Sequence, residues 1–373
     1  MVICSFFMDD LKTPCLLLHI ERVRRNAERM REVAKGNSVR LRPHIKTHKC
    51  IEVAKIQTEG HDGAITVSTL AEARAFAKNG FSDITYAVPI ERGKFSGAIE
   101  ILNSGVKLNL LTDDLETVKQ LDEAAGKAGV KFDVFVKIDC GTHRVGVEPN
   151  TEEAVEIPRL LSDSKNLSFA GILTHAGHSY DVKTKEQILE VARHERDSMV
   201  ELAERLRSQG IEVPTVSIGS TPTMSMIDHL DGIDEIRPGN YIFFDNYQAT
   251  LGSCSFEDTA LTVLAAVIHR GKNKLVVDAG AIALSKDRGP VGLDPNCGYG
   301  RVLDLDGNDT GMRVSGMSQE HGTITGDAVD QFKVGDRVRI LANHSCLTAA
   351  QHSHYNVVEN GEIVDRWEIH RGW

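Results

Sequence analysis

The chain has 373 residues, of which 41% are hydrophobic, and its formal net charge at pH 7 is −10. This acidic balance argues against nucleic-acid binding, which needs concentrated Lys and Arg to displace counterions from phosphates, so we expect a small molecule as the partner. The longest apolar run, residues 261–268, is far shorter than the roughly 20 residues that span a bilayer, so no membrane partner is predicted.

The seven cysteines are odd in number and none is spaced as CxxC, so we expect thiols rather than a disulfide framework or a zinc finger. The first eleven residues are apolar, but they lack a basic start and contain two aspartates. This pattern does not fit a signal peptide, and it predicts a cytoplasmic protein.

From about residue 14 to residue 245, short apolar runs alternate with longer amphipathic segments, a pattern typical of repeated βα units around a parallel sheet. The candidate helices include Ile20–Ala34, Leu70–Lys78, Asp114–Ala128 and Lys185–Ser208. A sheet of eight or nine such units favours a (β/α)8 barrel over an open doubly wound sheet, which usually has fewer strands. In chain order the candidate strands are Cys15–His19, Val39–Arg42, Gly63–Val67, Ile84–Val88, Val106–Leu111, Phe132–Ile138, Ser168–His175, Val213–Ile218 and Tyr241–Phe244.

After about Gly252 the pattern changes to strands separated by Gly, Asp and Asn turns, with little helix. Because single hydrophobic cores stop growing near roughly 250 to 300 residues, we expect two domains. They are an α/β barrel over residues 13–250 and a β-rich domain over residues 251–373, which residues 1–12 join. The candidate strands of the second domain are Ala260–His269, Lys274–Asp278, Arg337–Leu341, Tyr355–Val358 and Glu362–His370.

The end of the second candidate strand carries a dense group of basic side chains, RPHIKTHK at residues 42–49. In barrels of this kind the catalytic groups lie on the loops that follow the strands. A lysine that is desolvated there beside other cations would have a lowered pKa and would be a competent amine for Schiff-base formation, and we single out Lys46 for this role. A solvated basic loop is the alternative interpretation.

Two later strands also end in polar segments. IDCGTHR at residues 138–144 places Arg144 where it would face a ring or an anion at the barrel mouth, with a surface arginine as the alternative. THAGHSY at residues 174–180 ends the next strand in His175, for which a structural role is equally open.

A phosphate cradle is predicted where VSIGSTPT, residues 216–223, passes from a strand into a hydroxyl-rich turn. Backbone N–H groups, the hydroxyls of Ser220 and Thr221 and the start of a helix together suit an anion, and barrels commonly place one after strands 7 and 8. Ser and Thr before Pro also simply cap helices, which is the alternative. RPGNY at residues 237–241 offers a second turn and the phenol of Tyr241 for the same anion.

The second domain contains NHSC at residues 343–346, directly after a candidate strand. In a strand, side chains two apart point to the same face, so His344 and Cys346 would grip one divalent ion such as zinc. Two protein ligands leave coordination positions open for a substrate oxygen and water, as a Lewis acid requires. The alternative is a buried cysteine beside an unrelated histidine.

Taken together, these segments resemble the fold-type III pyridoxal 5′-phosphate (PLP) family that includes D-serine dehydratase, D-threo-3-hydroxyaspartate dehydratase and D-threonine aldolase. The resemblance spans nearly the whole chain, and the barrel segments are most similar to the D-threo-3-hydroxyaspartate dehydratases. It rests on RPHIKTHK, GAITVST at 63–69, LTHAGHSY at 173–180, SIGSTPT at 217–223, RPGNYIFFD at 237–245, VVDAG at 276–280, QEHG at 319–322 and the HSC triplet.

The resemblance implies an alanine-racemase-like barrel plus a β-rich domain, in a homodimer whose active site lies near the interface. It implies PLP at the barrel mouth on Lys46 and a divalent metal on His344 and Cys346. A thiolate ligand favours zinc, with manganese, cobalt and magnesium left open. The residues carried over as PLP contacts are Arg144, Tyr180, Thr221, Gly239, Asn240 and Tyr241, to which we add His175 and Ser220 from the segments above.

The predicted function is a PLP- and metal-dependent lyase that dehydrates a D-3-hydroxy amino acid to a 2-oxo acid and ammonia. The alternative is a D-threonine aldolase-type cleavage to glycine and an aldehyde; aldolases of the family have His-x-Asp at the metal pair, so Cys346 favours the dehydratases. A racemase is less favoured because it needs a second base on the opposite face. A non-catalytic PLP-binding protein on the same barrel would lack the domain that carries HSC.

Overall fold

The computed structural model describes residues 10–373, which form two units. One unit comprises residues 10–28, 47–56 and 240–369. The other comprises residues 29–46, 57–239 and 370–373. We predicted that residues 1–12 join the β-rich domain; residues 1–9 of that segment lie outside the described residues.

The strands follow one another along the whole described chain. They are β1 (Cys15–His19), β2 (Arg40–Leu41), β3 (Ile65–Val67), β4 (Asp83–Pro89), β5 (Lys107–Thr112), β6 (Phe132–Lys137), β7 (Leu167–Leu173), β8 (Val216–Ile218), β9 (Glu235–Ile236), β10 (Leu261–Arg270), β11 (Leu275–Val277), β12 (Gly300–Leu303), β13 (Asp309–Met317), β14 (Gly322–Thr325), β15 (Arg337–Ala342), β16 (His354–Glu359) and β17 (Glu362–Glu368).

The α-helices are concentrated between β1 and β10, where one usually separates successive strands. They are α1 (Ile20–Gly36), α2 (Ile51–Thr58), α3 (Leu70–Lys78), α4 (Phe95–Asn103), α5 (Leu115–Ala128), α6 (Glu153–Asp163), α7 (Lys185–Ser208), α8 (Thr221–Met226), α9 (Asn246–Leu251), α10 (Ala281–Leu284) and α11 (Ser345–Ala349). Short 3-10 helices cover Ile45–Thr47, Arg92–Lys94, Gly177–Tyr180, Asn240–Ile242, Phe256–Asp258 and Asp327–Gln331.

The unit around residues 57–239 contains an eight-stranded sheet in the order β2-β9-β8-β7-β6-β5-β4-β3, with every neighbouring pair parallel. A parallel bridge between His44 and Thr66 joins the two ends of this order. At that bridge the Thr66 N–H donates to the Pro43 carbonyl oxygen at 2.9 Å. The eight strands therefore close into a barrel, and the predicted fold class is confirmed.

Helix α7 shows how the sequence packs a helix around this barrel. Its N-cap is Thr184, whose hydroxyl accepts a hydrogen bond from the Gln187 N–H and so satisfies one of the first backbone donors. Buried side chains recur at intervals of three and four residues, which places them on one face of the helix. They are Ile188, Ala192, Glu195, Arg196, Met199, Leu202, Ala203 and Leu206, and the charged ones among these eight are Glu195 and Arg196.

The other unit contains a nine-stranded sheet in the order β11-β14-β13-β12-β15-β10-β1-β16-β17, in which β11 also pairs with β10. This extra pairing closes six strands, β10 to β15, into a second barrel. Strand β1 pairs with β10 along one edge and in parallel with β16 along its other edge. The prediction that Cys15–His19 is the first strand of the (β/α)8 barrel was therefore wrong. Leu16, Leu17 and Leu18 are fully buried, and such a continuous apolar run suits any strand covered on both faces.

The predicted strand Tyr241–Phe244 was also wrong, because the chain forms a 3-10 helix over Asn240–Ile242. The short strand β9 (Glu235–Ile236) lies between β8 and β2 instead. Strands β12, β13 and β14 were not predicted, since their residues are rich in Gly and Thr. Among residues 10–373, no helix has both the length and the apolar character needed to cross a bilayer.

Candidate active site

Lys46 lies in the 3-10 helix Ile45–Thr47, in the loop that follows β2. We expected a desolvated amine in a cluster of cations, and the expected desolvation needs correction. Residue 46 is exposed. Arg42 is buried and pairs with Glu235 at 2.6 Å and with Asp83 at 2.7 Å, so carboxylates neutralise the nearest guanidinium of the basic segment.

His175 follows β7 and lies among cationic side chains of the same barrel. Its Nδ1 donates to the Gly219 carbonyl oxygen at 3.3 Å, which fixes the tautomer of the ring. Burial, followed by the positive charges of Lys46, Lys137 and Arg144, holds the pKa of His175 well below its usual range. The structure therefore brings Lys46, Arg144 and a neutral His175 into one electrostatic environment.

The loop after β6 is tied to the loop after β7 through Thr142. The Thr142 hydroxyl donates to the His175 carbonyl oxygen at 3.0 Å and accepts from the Gly177 N–H at 2.8 Å. Asp139 fixes Thr142 in turn, because one carboxylate oxygen accepts backbone N–H bonds from residues 141, 142 and 143 at 2.9 to 3.1 Å. Burial alone would raise the pKa of Asp139, but these donors lower it.

The predicted phosphate turn begins at Gly219, which has φ +116 and directly follows β8. A Cβ at this position would lie 3.2 Å from the backbone nitrogen of Arg237, so glycine permits the close approach. Ser220 and Thr223 cap α8 reciprocally, at 3.0 and 3.3 Å, and Ser220 also contacts the Ser179 hydroxyl at 3.0 Å. The capping interpretation of Ser220 therefore holds.

The remaining predicted PLP contacts are divided between the two units. Tyr180 is partly buried in the 3-10 helix Gly177–Tyr180, while Thr221 and Gly239 are buried. All three belong to the (β/α)8 barrel, together with Lys46, Arg144, His175 and Ser220, whereas Asn240, Tyr241, His344 and Cys346 belong to the unit with the nine-stranded sheet.

Sequence reasoning missed a set of buried charges inside the (β/α)8 barrel. Lys137, at the end of β6, is 5% exposed, and burial together with the charge of Arg237 lowers the pKa of its amine to about 8. Arg237 donates to the Ser217 hydroxyl at 2.6 Å and to the Thr174 carbonyl, and burial lowers its pKa to about 10. Glu195 supplies negative charge near both cations.

In the other unit, His344 and Cys346 interact through their side chains. The segment is not the strand that we predicted: His344 is the extended residue that precedes the short helix α11, with φ −135 and ψ 100. His344 Nδ1 lies 2.9 Å from the carboxylate of Asp287, and the Cys346 thiol donates to the Thr47 hydroxyl at 3.3 Å. The predicted pair therefore comes together, although by a different local geometry.

Asp245 organises the residues around this pair. Its Oδ2 accepts from the Asn240 amide at 2.7 Å, from the Ser345 N–H at 3.0 Å and from the Ser345 hydroxyl at 3.2 Å. The same Asn240 amide donates to Cys346 Sγ at 3.6 Å. Asn240, which we expected to contact PLP, thus hydrogen-bonds to the HSC triplet, and Tyr241 beside it is buried.

The donor set of the HSC triplet suits a divalent metal. Imidazole nitrogen and thiolate sulfur are ligands of borderline-soft ions such as zinc, and a carboxylate on the other ring nitrogen is the usual support of a metal-binding histidine. In the described part of the chain, no group of three or more His, Cys, Asp or Glu side chains is placed to hold a metal ion. Two protein ligands would leave open positions for substrate and water.

Comparison with known proteins decides the family. Residues 18–247 match the alanine racemase N-terminal domain, and residues 260–358 match a putative serine dehydratase domain. The chain belongs to the alanine-racemase-like family of PLP enzymes. The predicted family resemblance is confirmed, as is the prediction of an enzyme of the lyase type.

Two relatives within this alanine-racemase-like family cover almost the whole chain. D-threo-3-hydroxyaspartate dehydratase from Delftia sp. (strain HT23) is 38% identical over 97% of this chain and 98% of the relative. Its solved structure superposes with a TM-score of 0.94, covering 98% of this chain and 100% of the other. D-serine dehydratase from Dictyostelium discoideum is 37% identical over 98% of each chain.

A more distant neighbour is the D-threonine aldolase from Filomicrobium marinum, which is 27% identical with a TM-score of 0.86 and covers 98% of this chain and 97% of the other. Two variant structures of a D-threo-3-hydroxyaspartate dehydratase are also similar, each with a TM-score of 0.95. One replaces a histidine by alanine and the other replaces a cysteine two positions later, and the cysteine variant is in the metal-free form.

Proposed function

We propose that this chain is a PLP- and metal-dependent dehydratase that converts a D-3-hydroxy amino acid to a 2-oxo acid and ammonia. The observation that carries the proposal is the His344–Cys346 pair with its Asp287 support, in a chain that matches two dehydratases along nearly its whole length. D-threo-3-hydroxyaspartate and D-serine are the substrates we propose, from the names of those relatives.

Lys46 would anchor PLP covalently. His175 and Arg144 would face the cofactor from the same electrostatic environment, and Tyr180, Ser220, Thr221 and Gly239 are the barrel residues we propose for its phosphate. The turn at Gly219 supports this role, because its positive φ lets the chain turn tightly from β8 into the start of α8, next to the Arg237 backbone. Asn240 and Tyr241 complete the proposed contacts. When bound, PLP supplies an electron sink for the charge left at Cα.

The residues of the chain would move and hold protons. We propose Lys46 as the base that takes the Cα proton, since the anchoring amine is released when the substrate amine takes its place. His175 is a poor base for this task, because its pKa lies well below its usual range and its Nδ1–H is committed to Gly219. Its fixed tautomer leaves Nε2 as a hydrogen-bond acceptor.

His344 and Cys346 would hold the metal, with Asp287 orienting the imidazole. There the ion would act as a Lewis acid that makes the 3-hydroxyl a better leaving group. The soft thiolate supports zinc as the ion. In the solved variants of the related dehydratase, the replaced histidine and the replaced cysteine lie two positions apart, and the cysteine variant is in the metal-free form. His344 and Cys346 have the same spacing, which supports them as the metal pair.

The proposal extends to the organisation of the protein. PLP would lie on the (β/α)8 barrel and the metal on the C-terminal β-rich domain, within a cytoplasmic homodimer whose active site lies near the interface. Size-exclusion chromatography with light scattering would show a dimer, and a monomer that turns over substrate at the full rate would contradict it.

The PLP anchor is tested by borohydride reduction of the loaded protein followed by peptide mass spectrometry. The wild type is expected to carry the reduced cofactor on Lys46, and Lys46→Ala is expected to carry none. Lys55→Ala, on the exposed face of α2, serves as the control that keeps the label. A label on a different lysine in the wild type would contradict the assignment.

The reaction is tested with D-serine, D-threonine, D-threo-3-hydroxyaspartate and their L-forms, measuring 2-oxo acid, ammonia and aldehyde together. A dehydratase gives 2-oxo acid and ammonia in equal amounts from D-substrates only. Glycine and an aldehyde without ammonia would establish the aldolase alternative, and full activity after chelation would remove the metal from the proposal.

A further inference from the structure

Glu195 is a buried carboxylate with no place in the function proposed above. It lies on the apolar face of α7 and is fully buried. A single carboxylate oxygen, Oε1, accepts hydrogen bonds from the Ala176 N–H at 2.9 Å and from the Gly219 N–H at 3.1 Å. Burial of a carboxylate is costly unless it is hydrogen-bonded. These two bonds lower the pKa of Glu195, but burial outweighs them and raises the pKa above its usual range.

The two donors belong to different loops of the (β/α)8 barrel. Ala176 lies between His175 and Gly177 in the loop after β7, and Gly219 opens the turn after β8. These are the loops that the proposed function assigns to PLP. His175 adds a third connection, since its Nδ1 donates to the Gly219 carbonyl at 3.3 Å. Gly219 is therefore held at its N–H by Glu195 and at its carbonyl by His175.

From this geometry we infer that Glu195 is a positioning residue for PLP. It fixes the loops after β7 and β8 relative to each other so that both contact the cofactor. The inference rests on the proposed function, because the relative position of these loops matters to the protein only if both of them bind PLP. Glu195 itself would not touch the cofactor; it acts through Ala176 and Gly219.

A second role for the carboxylate must be separated from this one. Lys137 and Arg237 lie near Glu195, and its negative charge raises the pKa of both. Glu195 would then serve mainly to neutralise buried cations. The two roles need different features of the side chain: positioning needs an acceptor atom at Oε1, whereas neutralisation needs the charge.

The experiment therefore compares Glu195→Gln, which keeps an acceptor without the charge, with Glu195→Ala, which removes both. The apoproteins are titrated with PLP and with pyridoxal, which lacks the phosphate. The ratio of the pyridoxal Kd to the PLP Kd measures how much the phosphate contributes to binding. Glu201→Ala, an exposed residue of the same helix, is the control, and thermal unfolding of each apoprotein checks that it is folded.

We expect the Kd ratio to fall about tenfold or more in Glu195→Ala, because two backbone donors lose their acceptor and the turn loses the bond that fixes it at the Gly219 N–H. Glu195→Gln should stay within about threefold of the wild type, and Glu201→Ala should match it. If Glu195→Ala does not fold, Glu195→Asp keeps the charge on a side chain one methylene shorter, and the ratio should fall there as well.

An unchanged ratio in Glu195→Ala or Glu195→Asp overturns the inference. So does a Glu195→Gln variant as defective as Glu195→Ala, since the charge would then be the feature that matters. A wild-type protein that fails to bind PLP would instead contradict the proposed function, so the two failures are distinguishable.

Discussion

Asp287 accepts the ring N–H of His344, with 2.9 Å between the carboxylate Oδ2 and Nδ1. This contact commits Nδ1 and leaves Nε2 as the nitrogen for a cation. The hydrogen bond from His344 also lowers the pKa of Asp287, so the carboxylate is charged when it orients the ring. Carboxylate support of this kind raises the basicity of the imidazole ligand.

Replacing Asp287 by alanine is therefore expected to weaken zinc binding about 10- to 100-fold, the usual effect of losing such a partner. Competition against a chromophoric chelator measures the zinc affinity directly, without reference to activity. Asp306→Ala, an exposed aspartate of the same unit, is the matched control. An affinity in Asp287→Ala equal to that of the control would show that Asp287 does not orient the ligand.

Cys346 is expected to set the choice of metal. A thiolate selects zinc, whereas a carboxylate suits manganese and magnesium. Cys346→Asp should therefore weaken zinc binding while strengthening binding of manganese relative to zinc. Titrating each variant with the two metals in turn gives the preference ratio. A ratio unchanged from the wild type would mean that Cys346 does not bind the metal.

Asp245 is expected to contribute more to stability than an ordinary helix cap. It is buried, and besides capping α9 through the Gln248 N–H it accepts three hydrogen bonds from Asn240 and Ser345. Asp245→Ala removes the carboxylate acceptor from these buried donors, which should lower the free energy of unfolding by about 2 to 4 kcal/mol.

Asp114→Ala is the comparison for this variant, since Asp114 is exposed and caps α5 through the Thr117 N–H at 2.7 Å. Loss of that cap should lower the free energy of unfolding by about 1 kcal/mol. Urea denaturation measures both. Equal losses in the two variants would mean that the buried bonds of Asp245 add nothing beyond capping.

The barrel could be predicted from the sequence because its strands and helices have clean periodicities. Helices α3 and α7 have the predicted bounds, and the loops after β2, β6, β7 and β8 lie where the apolar runs predict them. The position and composition of an apolar run do not say which of the two sheets its strand joins. For this reason β1 was assigned to the barrel, although it lies between β10 and β16 in the other sheet.

The site could be predicted only in part, because side chains that support a ligand carry a weaker sequence signal than those that bind it. Asp287 lies in a loop with no periodic pattern, and nothing in its neighbours links it to His344, 57 positions later. Glu195 did offer a signal: a glutamate at a position of α7 where the period of three and four calls for an apolar residue. A charge at such a position indicates a buried acceptor.

The last prediction concerns acid stability and the contact between His19 and Arg339. Arg339 Nη2 donates to His19 Nε2 at 2.5 Å, so the imidazole is neutral and acts as the acceptor. Burial, followed by the charges of Arg339 and Arg22, lowers the pKa of His19 to about 3. The unfolded chain, with a usual histidine pKa, then binds more protons than the folded chain between pH 3 and about 6.5.

The contribution of His19 to the free energy of unfolding is thus fully present above about pH 6.5 and is lost as the pH falls toward 3. At pH 4.5 the wild type should have lost about 2 to 3 kcal/mol through this residue alone. His19→Gln, whose amide oxygen replaces the acceptor without titrating, should lose correspondingly less between pH 7.5 and pH 4.5. His269→Gln, exposed at the end of β10, should behave as the wild type. Urea denaturation at the two pH values decides the matter, since equal losses in wild type and His19→Gln would show that His19 does not cause the acid sensitivity.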